Sequence, residues 1–448
     1  MYAQVFKTGE AIFKGASQTL GISEVKADSS SAAVAINGLP WHRKELVETG
    51  DGEVGVACGT GQLLPIRPFK VSSERKAVSV EEVSTGVFVL QNDQLRIQVE
   101  EGCITSLYDR RNDREVIEKG QKANKYVIFD DKPLYWQAWD VEVYHLDTGK
   151  PLSSTKTTIS EEKDHRVSVV TKTKISDKSS IETTISLSAT LDGVDSWVEC
   201  RAEVDWHETM KFLKVEFPVE VRNTEANYET AYGITKRPTH YNTSWDMAKF
   251  EVCCHRFADL SEPAYGVSIL NDSKYGFATC GNLMRLSLLR APKAPDANAD
   301  MGKHTIRWGI LPHAGALGPS TVKAAYTFNS PMRIGSVAKE TISTLVDSSS
   351  PIKLTGDDSL FVDAIKRGED DEDVSRGELP RRKGRSVIVR VYESLGSRSR
   401  GVIETKWGLR RVFKTNILED DLEELKVDGG KFAITLRPFE LATYRLEL

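Results

Sequence analysis

Between positions 211 and 221 the chain reads KFLKVEFPVEV. Leu213, Val215, Phe217, Val219 and Val221 share one parity, and Lys214, Glu216 and Glu220 share the other. Side chains alternate faces along an extended backbone, so this pattern restricts the segment to an antiparallel strand with one buried and one polar face. Pro218 has no N–H for a ladder and predicts an edge position or a bulge. IETTISLSATL alternates in the same way through Ile181, Ile185, Leu187 and Leu191. FVLQNDQLRIQV sets an Asn92-Asp93 turn between two such runs, the pattern of a hairpin. SVIVRVYESLG and KFAITL repeat the alternation near the end. Short strands punctuated by Gly, Asn, Asp and Pro, with no helices alternating between them, predict an all-β chain of sandwiches.

One segment departs from this pattern. Tyr2, Val5, Phe6, Ile12, Phe13, Ala16 and Leu20 follow the three-and-four spacing of a helical face, and Gly21 suits a terminator. A helix this short needs a partner for its stripe, either other helices or the β region. The expected organisation is a terminal helix at 1–21, a small β domain at 32–70, a large β domain at 80–332 and a C-terminal β-sandwich at 335–448. Polar stretches at 22–35 and 70–82 read as connections. An acidic cluster followed by a basic one, KRGEDDEDVSRGELPRRKGRS, reads as a solvated, mobile loop.

The chain has 448 residues, a length that as a soft guide suggests about three domains. A formal net charge of -5 gives no electrostatic reason to expect nucleic acid or an anionic membrane as partner. No apolar run reaches the ~20 residues that span a bilayer, and no signal peptide is recognised. The six cysteines fall at irregular spacings, apart from the vicinal Cys253-Cys254, which suits a reducing compartment. Cytoplasmic or vacuolar residence is the expectation, and a homo-oligomer is compatible with it.

Chemistry concentrates in RPTHYNTSWD. Tyr241 and Trp245 offer stacking faces; Arg237, His240, Asn242 and Asp246 offer hydrogen bonds to hydroxyl groups. YWQAWD, with Trp139 and Asp140, is a second such cluster. Core tryptophans with satisfied N–H groups would look the same in sequence. Asp140, Asp246, Asp259 and Glu262 are candidates for the paired carboxylates of glycoside hydrolysis, although most acidic residues are surface charges. The eight histidines show no His-x-x-x-His pair, and the Cys253, Cys254, His255 cluster is poorly spaced for one ion, so no metal ligands are assigned. No Gly-x-Ser-x-Gly elbow occurs. Sequons stand at Asn242 and Asn271.

RPTHYNTSWDMAKFEV, RFADLSEPAYGVSILNDSKYGF, MRLSLLRAPKAPDANADMGKHTIRWGILPH, CITSLYDRRNDREVI and VIFDDKPLYWQAWDVEVYH together resemble the C-terminal half of glycoside hydrolase family 38 α-mannosidases, in their cytosolic and vacuolar branch. The resemblance runs from the first helix to the last strand. Gln137 departs from it, standing where the resemblance implies an acidic residue in many relatives. The resemblance implies a large galactose-mutarotase-like supersandwich within the β region. It also implies removal of terminal α-linked mannose from oligosaccharides by a retaining, zinc-dependent reaction. The family's nucleophile and zinc ligands have no match in these residues, so they are expected in an N-terminal catalytic region with its helical bundle, and this chain is expected to need that region as partner. Arg237, His240, Tyr241, Asn242, Trp245, Asp246, Trp139 and Asp140 are then expected to line or brace the mannose pocket. The competing expectations are a lectin-like sandwich that only binds sugar, and a mutarotase-like enzyme with His240 or His255 facing a carboxylate across an open cleft.

Overall fold

The computed structural model describes residues 2–23, 30–50, 52–70, 77–349, 351–375, 377 and 381–448. The expected connections at 22–35 and 70–82 and the acidic-to-basic stretch lie partly outside these. The protein is all-β, with multiple antiparallel sheets following one N-terminal helix. It divides into two compact units, one formed by 1–70 with 330–448 and the other by 71–329.

Among its described residues the 71–329 unit contains sheets of nine, six and five strands. The nine-stranded sheet includes Arg166–Lys174, Ser180–Ser188, Val198–Trp206, Gly302–Ala314, Tyr265–Asn271 and Phe257–Glu262. The six-stranded sheet runs Lys150–Pro151, Lys125–Asp130, Lys211–Pro218, Leu283–Arg290, Gly276–Cys280, Val252–Cys253. Alternation behaves as expected on one face: Leu213, Val215, Phe217, Val219 and Val221 are all buried, each contributing about 1.5–3 kcal/mol. The Asn92-Asp93 hairpin forms as read, with Gln91 opposite Arg96 and Asn92 Oδ1 accepting the N–H groups of Gln94 (2.8 Å) and Leu95 (2.7 Å).

Two features of the Lys211–Pro218 strand correct the sequence reading. It is an interior strand, flanked by Lys125–Asp130 and Leu283–Arg290, with Pro218 as its last residue and a register shift between Leu213 and Lys214. Its polar face is not solvated either, for Lys214 and Glu216 are buried and only Glu220 is exposed. An unforeseen helix, Pro319–Asn329, buries Val322, Ala325 and Phe328. Its stripe is only three turns long and rich in Ala and Thr, so it gives little periodic signal, although Pro at a first helical position is favourable.

In the other unit, Ser31–Ile36 pairs with Leu63–Pro68 and with the distant Arg333–Ala338. The C-terminal strands pack a three-stranded and a five-stranded sheet around Val389, Val391, Ile403, Phe432 and Tyr444. The helix Tyr2–Thr19 ends at Gly21, whose φ of 70° supplies the left-handed terminator. It meets the β region through Arg333, which pairs with Glu10 and lies over the Phe13 ring, while Tyr2, Val5, Phe6, Ile12 and Leu20 remain exposed.

Most described residues of the acidic-to-basic stretch are exposed, but a few of its charges are drawn into the fold. Asp371 is fully buried and accepts from Ser386 N (2.8 Å), Ser386 Oγ (2.7 Å) and Arg367 (2.9 Å). Buried Arg445 donates to Asp370, Asp421, Ser386 Oγ and the Glu419 carbonyl. Charges that look superfluous in sequence are consumed by partners far along the chain.

Candidate functional site

The outer face of the six-stranded sheet carries charge, and two segments cover it. Lys214 Nζ donates to Glu251 Oε2 at 2.5 Å, and Ser287 Oγ donates to the other oxygen of that carboxylate. Beside them Arg285 and Lys125 hold Glu216 at 2.7 and 3.2 Å. Lys214 also lies 4.4 Å from the Phe212 ring centroid. A buried ammonium without such partners would be costly. Here Glu251 fastens one covering segment, 240–251, to the middle of the sheet. The other, 131–149, is fastened by the pair of Asp131 with Arg290. The two meet at His145, whose ring packs against Phe129, Phe212 and Phe250 at centroid distances of 5.2, 5.5 and 5.9 Å. Burial, helped by the Lys214 charge, pulls His145 down to about 4, so the imidazole is neutral. Its Nδ1 donates to the Glu142 carbonyl at 2.7 Å.

The RPTHYNTSWD stretch begins at the end of the strand Gly233–Pro238, an edge of the nine-stranded sheet. Thr239 anchors it, its carbonyl accepting from Gly281 and its hydroxyl donating to Asn223. Tyr241 is half-buried beside Cys280 and Arg285, and burial pushes its phenol up to about 12. Thr243 caps the single helical turn Ser244–Met247, accepting from Asp246 N at 3.1 Å and donating to Asp246 Oδ2 at 2.9 Å. His240 Nδ1 stands 3.5 Å from the same carboxylate. Asn242 is exposed, and Trp245 projects from the turn 80% exposed. Arg237 is partly covered, and its buried Nε has no hydrogen-bond partner among the described residues.

The second cluster is a tight turn. Trp136 adopts φ 52°, and its carbonyl accepts from the N–H groups of Trp139 (2.7 Å) and Asp140 (2.9 Å). Arg290 clasps it, binding Asp131 through two nitrogens and the carbonyls of Gln137 (2.9 Å) and Asp140 (2.6 Å). Gln137 Oε1 accepts Lys293 N–H at 2.9 Å. A carboxylate oxygen at this position could accept the same bond. Leu134, Tyr135, Trp136 and Trp139 are each about two-thirds exposed or more. None of these tryptophans is a core residue.

Other candidates resolve differently. Asp259 is fully buried and accepts from Ser261 (2.6 Å), Ser268 (2.8 Å) and Asn227 (3.2 Å), with His313 Nε2 at 2.8 Å. Glu262 is paired with Arg114. The Asp259 carboxylate is taken up by internal bonds, while Glu262 stays partly exposed beside its arginine. His255 packs its ring against Tyr275, and His240 faces Asp246 within one loop, so neither meets a carboxylate across a cleft. Asn271, the second sequon, is buried and donates to the His255 carbonyl. Among the described residues no group of three His, Cys, Asp or Glu side chains is arranged to hold a metal ion, so the residues present do not fit the zinc that the resemblance implies. All six cysteines are unpaired.

Sequence reasoning brings together His240, Asn242 and Asp246 in one loop and Trp139 with Asp140 in another. It missed Lys214, Glu251, Ser287, Arg285, Asp131 and Arg290. The available signal was polar residues on alternate positions of two strands, Lys214 and Glu216 on one, Arg285 and Ser287 on the next, which only pairing makes complementary.

The glycosyl hydrolases family 38 C-terminal domain matches residues 90–298, and the family 38 C-terminal beta sandwich domain matches 359–444. Alpha-mannosidase of Saccharomyces cerevisiae is 46% identical over 384 residues, covering 80% of this chain and 34% of the relative. Alpha-mannosidase 2C1 of Homo sapiens is 33% identical over 464 residues, covering 100% of this chain and 42% of the relative. The chain thus spans well under half the length of these relatives. An alpha-mannosidase structure from Enterococcus faecalis V583 superposes with a TM-score of 0.69 at 12% identity, over 96% of this chain and 57% of that one, a likeness of fold.

Proposed function

The chain belongs to the C-terminal region of glycoside hydrolase family 38, and from that membership we propose that it is the β region of an α-mannosidase removing terminal α-linked mannose from oligosaccharides. The observation that carries the reading is the covered outer face of the six-stranded sheet. Two segments are fastened there by buried ion pairs, and both carry exposed indoles beside hydrogen-bonding groups. Planar rings next to amide, carboxylate and guanidinium groups suit a pyranose, which has apolar C–H faces and a rim of hydroxyls.

In this reading the nucleophile and the zinc belong to a portion of the enzyme outside these residues. Zinc, when bound there, supplies Lewis-acid polarisation of sugar hydroxyls. The residues of this chain bind, orient and exclude water. Trp245 offers a ring face. Asn242 and Asp246 receive hydroxyl groups, and Thr243 with His240 holds the Asp246 carboxylate in place. Tyr241 and Arg237 brace the loop. Among the described residues no helix is long and apolar enough to cross a membrane.

The test is hydrolysis of an aryl α-mannoside by the chain alone with zinc, and by the chain joined to the catalytic region of the yeast relative. Activity is expected only for the joined protein. Turnover by the purified chain alone would overturn the reading.

A further inference from the structure

We infer that the turn Leu134–Asp140 is a second saccharide contact, a corner of two perpendicular indoles, with Arg290 as the positioning residue that holds it. This rests on mannose oligosaccharides being the substrate class. Trp136 and Trp139 lie at 88° with centroids 6.1 Å apart. Both are mostly exposed, so the edge-to-face pair presents ring surface to solvent in two perpendicular planes.

Large exposed aromatics on a soluble protein call for an occupant. The polar groups at the corner favour a saccharide. The exposed Asp140 carboxylate adjoins Trp139, and exposed Asp296 and Asn298 stand on the loop that Lys293 ties to Gln137. A dry protein interface would bury such groups at a cost, whereas sugar hydroxyls supply hydrogen bonds to them while C–H faces lie on the rings.

The backbone shows that the corner is built before any ligand arrives. A tryptophan at φ 52° occupies a region that β-unbranched L-residues visit rarely and at some strain. Surrounding bonds over-determine it: Arg290 joins Asp131 on the sheet to the Gln137 and Asp140 carbonyls of the turn, and Trp206 Nε1 holds the Arg290 carbonyl at 3.0 Å. Lysine could not replace that fork, because one ammonium cannot make the paired contact with Asp131 and reach both carbonyls in the same geometry.

The experiment uses the 448-residue chain and an α-linked mannotriose, followed by tryptophan fluorescence and calorimetry. The wild type is expected to bind, and Trp136→Ala and Trp139→Ala are each expected to weaken binding about tenfold, the worth of one aromatic contact. Asp131→Asn with Arg290→Gln removes both buried charges together, so the sheet stays folded. It is expected to lose the coupled dichroism of the indole pair, defined by difference against Trp136→Phe, along with about tenfold in affinity. A merely structural role would leave dichroism and affinity intact in a folded double variant. No binding by wild type, affinity within about twofold in the alanine variants, or unchanged dichroism in the double variant would each overturn the inference. So would burial of the indoles by self-association, seen in sedimentation, which would give the face to a second copy. Mannotriose binding at the corner without mannoside hydrolysis by the joined protein would instead count against the enzymatic reading alone.

Discussion

Lys214 and Glu251 form an ion pair across the covered face of the six-stranded sheet, 2.5 Å apart with the lysine side chain wholly out of solvent. One comes from the middle of a strand and the other from the end of a loop that carries an exposed indole. Burial draws the ammonium down and Glu251 opposes that shift. The pair thus converts a costly buried charge into an attachment point for the candidate sugar loop.

Removing one partner should therefore harm more than removing both. Lys214→Met or Glu251→Gln alone is expected to cost roughly 3–5 kcal/mol, because the survivor is left buried and unpaired. The double variant should recover most of that loss. A thermodynamic double-mutant cycle from denaturant unfolding measures the coupling, and additive losses would contradict it.

His145 makes acid destabilising. Its folded value of about 4 lies below the ordinary 6.5, so its contribution is present above 6.5 and is lost as pH falls through 4, where the unfolded chain takes up a proton that the fold refuses. The difference corresponds to roughly 3 kcal/mol. His145→Phe keeps the aromatic packing and should flatten the decline in unfolding midpoint across that window.

His313 acts with the opposite sign. Burial lowers it, but the hydrogen bond and charge of Asp259 more than offset that, and its net shift is upward from 6.5. Its stabilisation is fully present below 6.5 and is lost as pH rises through the raised folded value. Asp259→Asn should remove this alkaline loss, which unfolding midpoints on either side of neutrality would reveal.

Trp245→Ala should leave stability within about 0.5 kcal/mol, since an indole 80% exposed contributes little packing. Thr243→Ala should cost about 1 kcal/mol through the lost cap on the turn Ser244–Met247. Both should lower mannoside hydrolysis by the joined enzyme, the first by direct loss of a ring face and the second by loosening Asp246. Wild-type kcat/KM in Trp245→Ala would remove that residue from the site.

Arg445→Met should cost about 1–3 kcal/mol by removing its buried bonds to Ser386 Oγ and the Glu419 carbonyl, while Arg382 still pairs with Asp370 and Asp421; Arg385→Ala, at an exposed position, should be nearly neutral. Melting temperatures of the two variants decide whether the acidic stretch is structural.

Period-two alternation by itself determined that this chain is built of antiparallel strands, because that signal is local: Leu213, Val215 and Phe217 declare a buried face wherever the strand ends up. Gly21 likewise marked a helix end, and the Asn92-Asp93 turn a hairpin. Two clusters of ring and polar side chains were also legible. What became of the strands' other face was decided only in three dimensions. Lys214 and Glu216 read as solvent-facing until Glu251, Arg285 and Lys125 arrive from three other places in the chain. The Trp136–Trp139 corner depends in the same way on Arg290, some 150 positions downstream. Burial of a charge is settled by its partner, and partners separated by that much chain leave no periodic trace in the sequence of either segment.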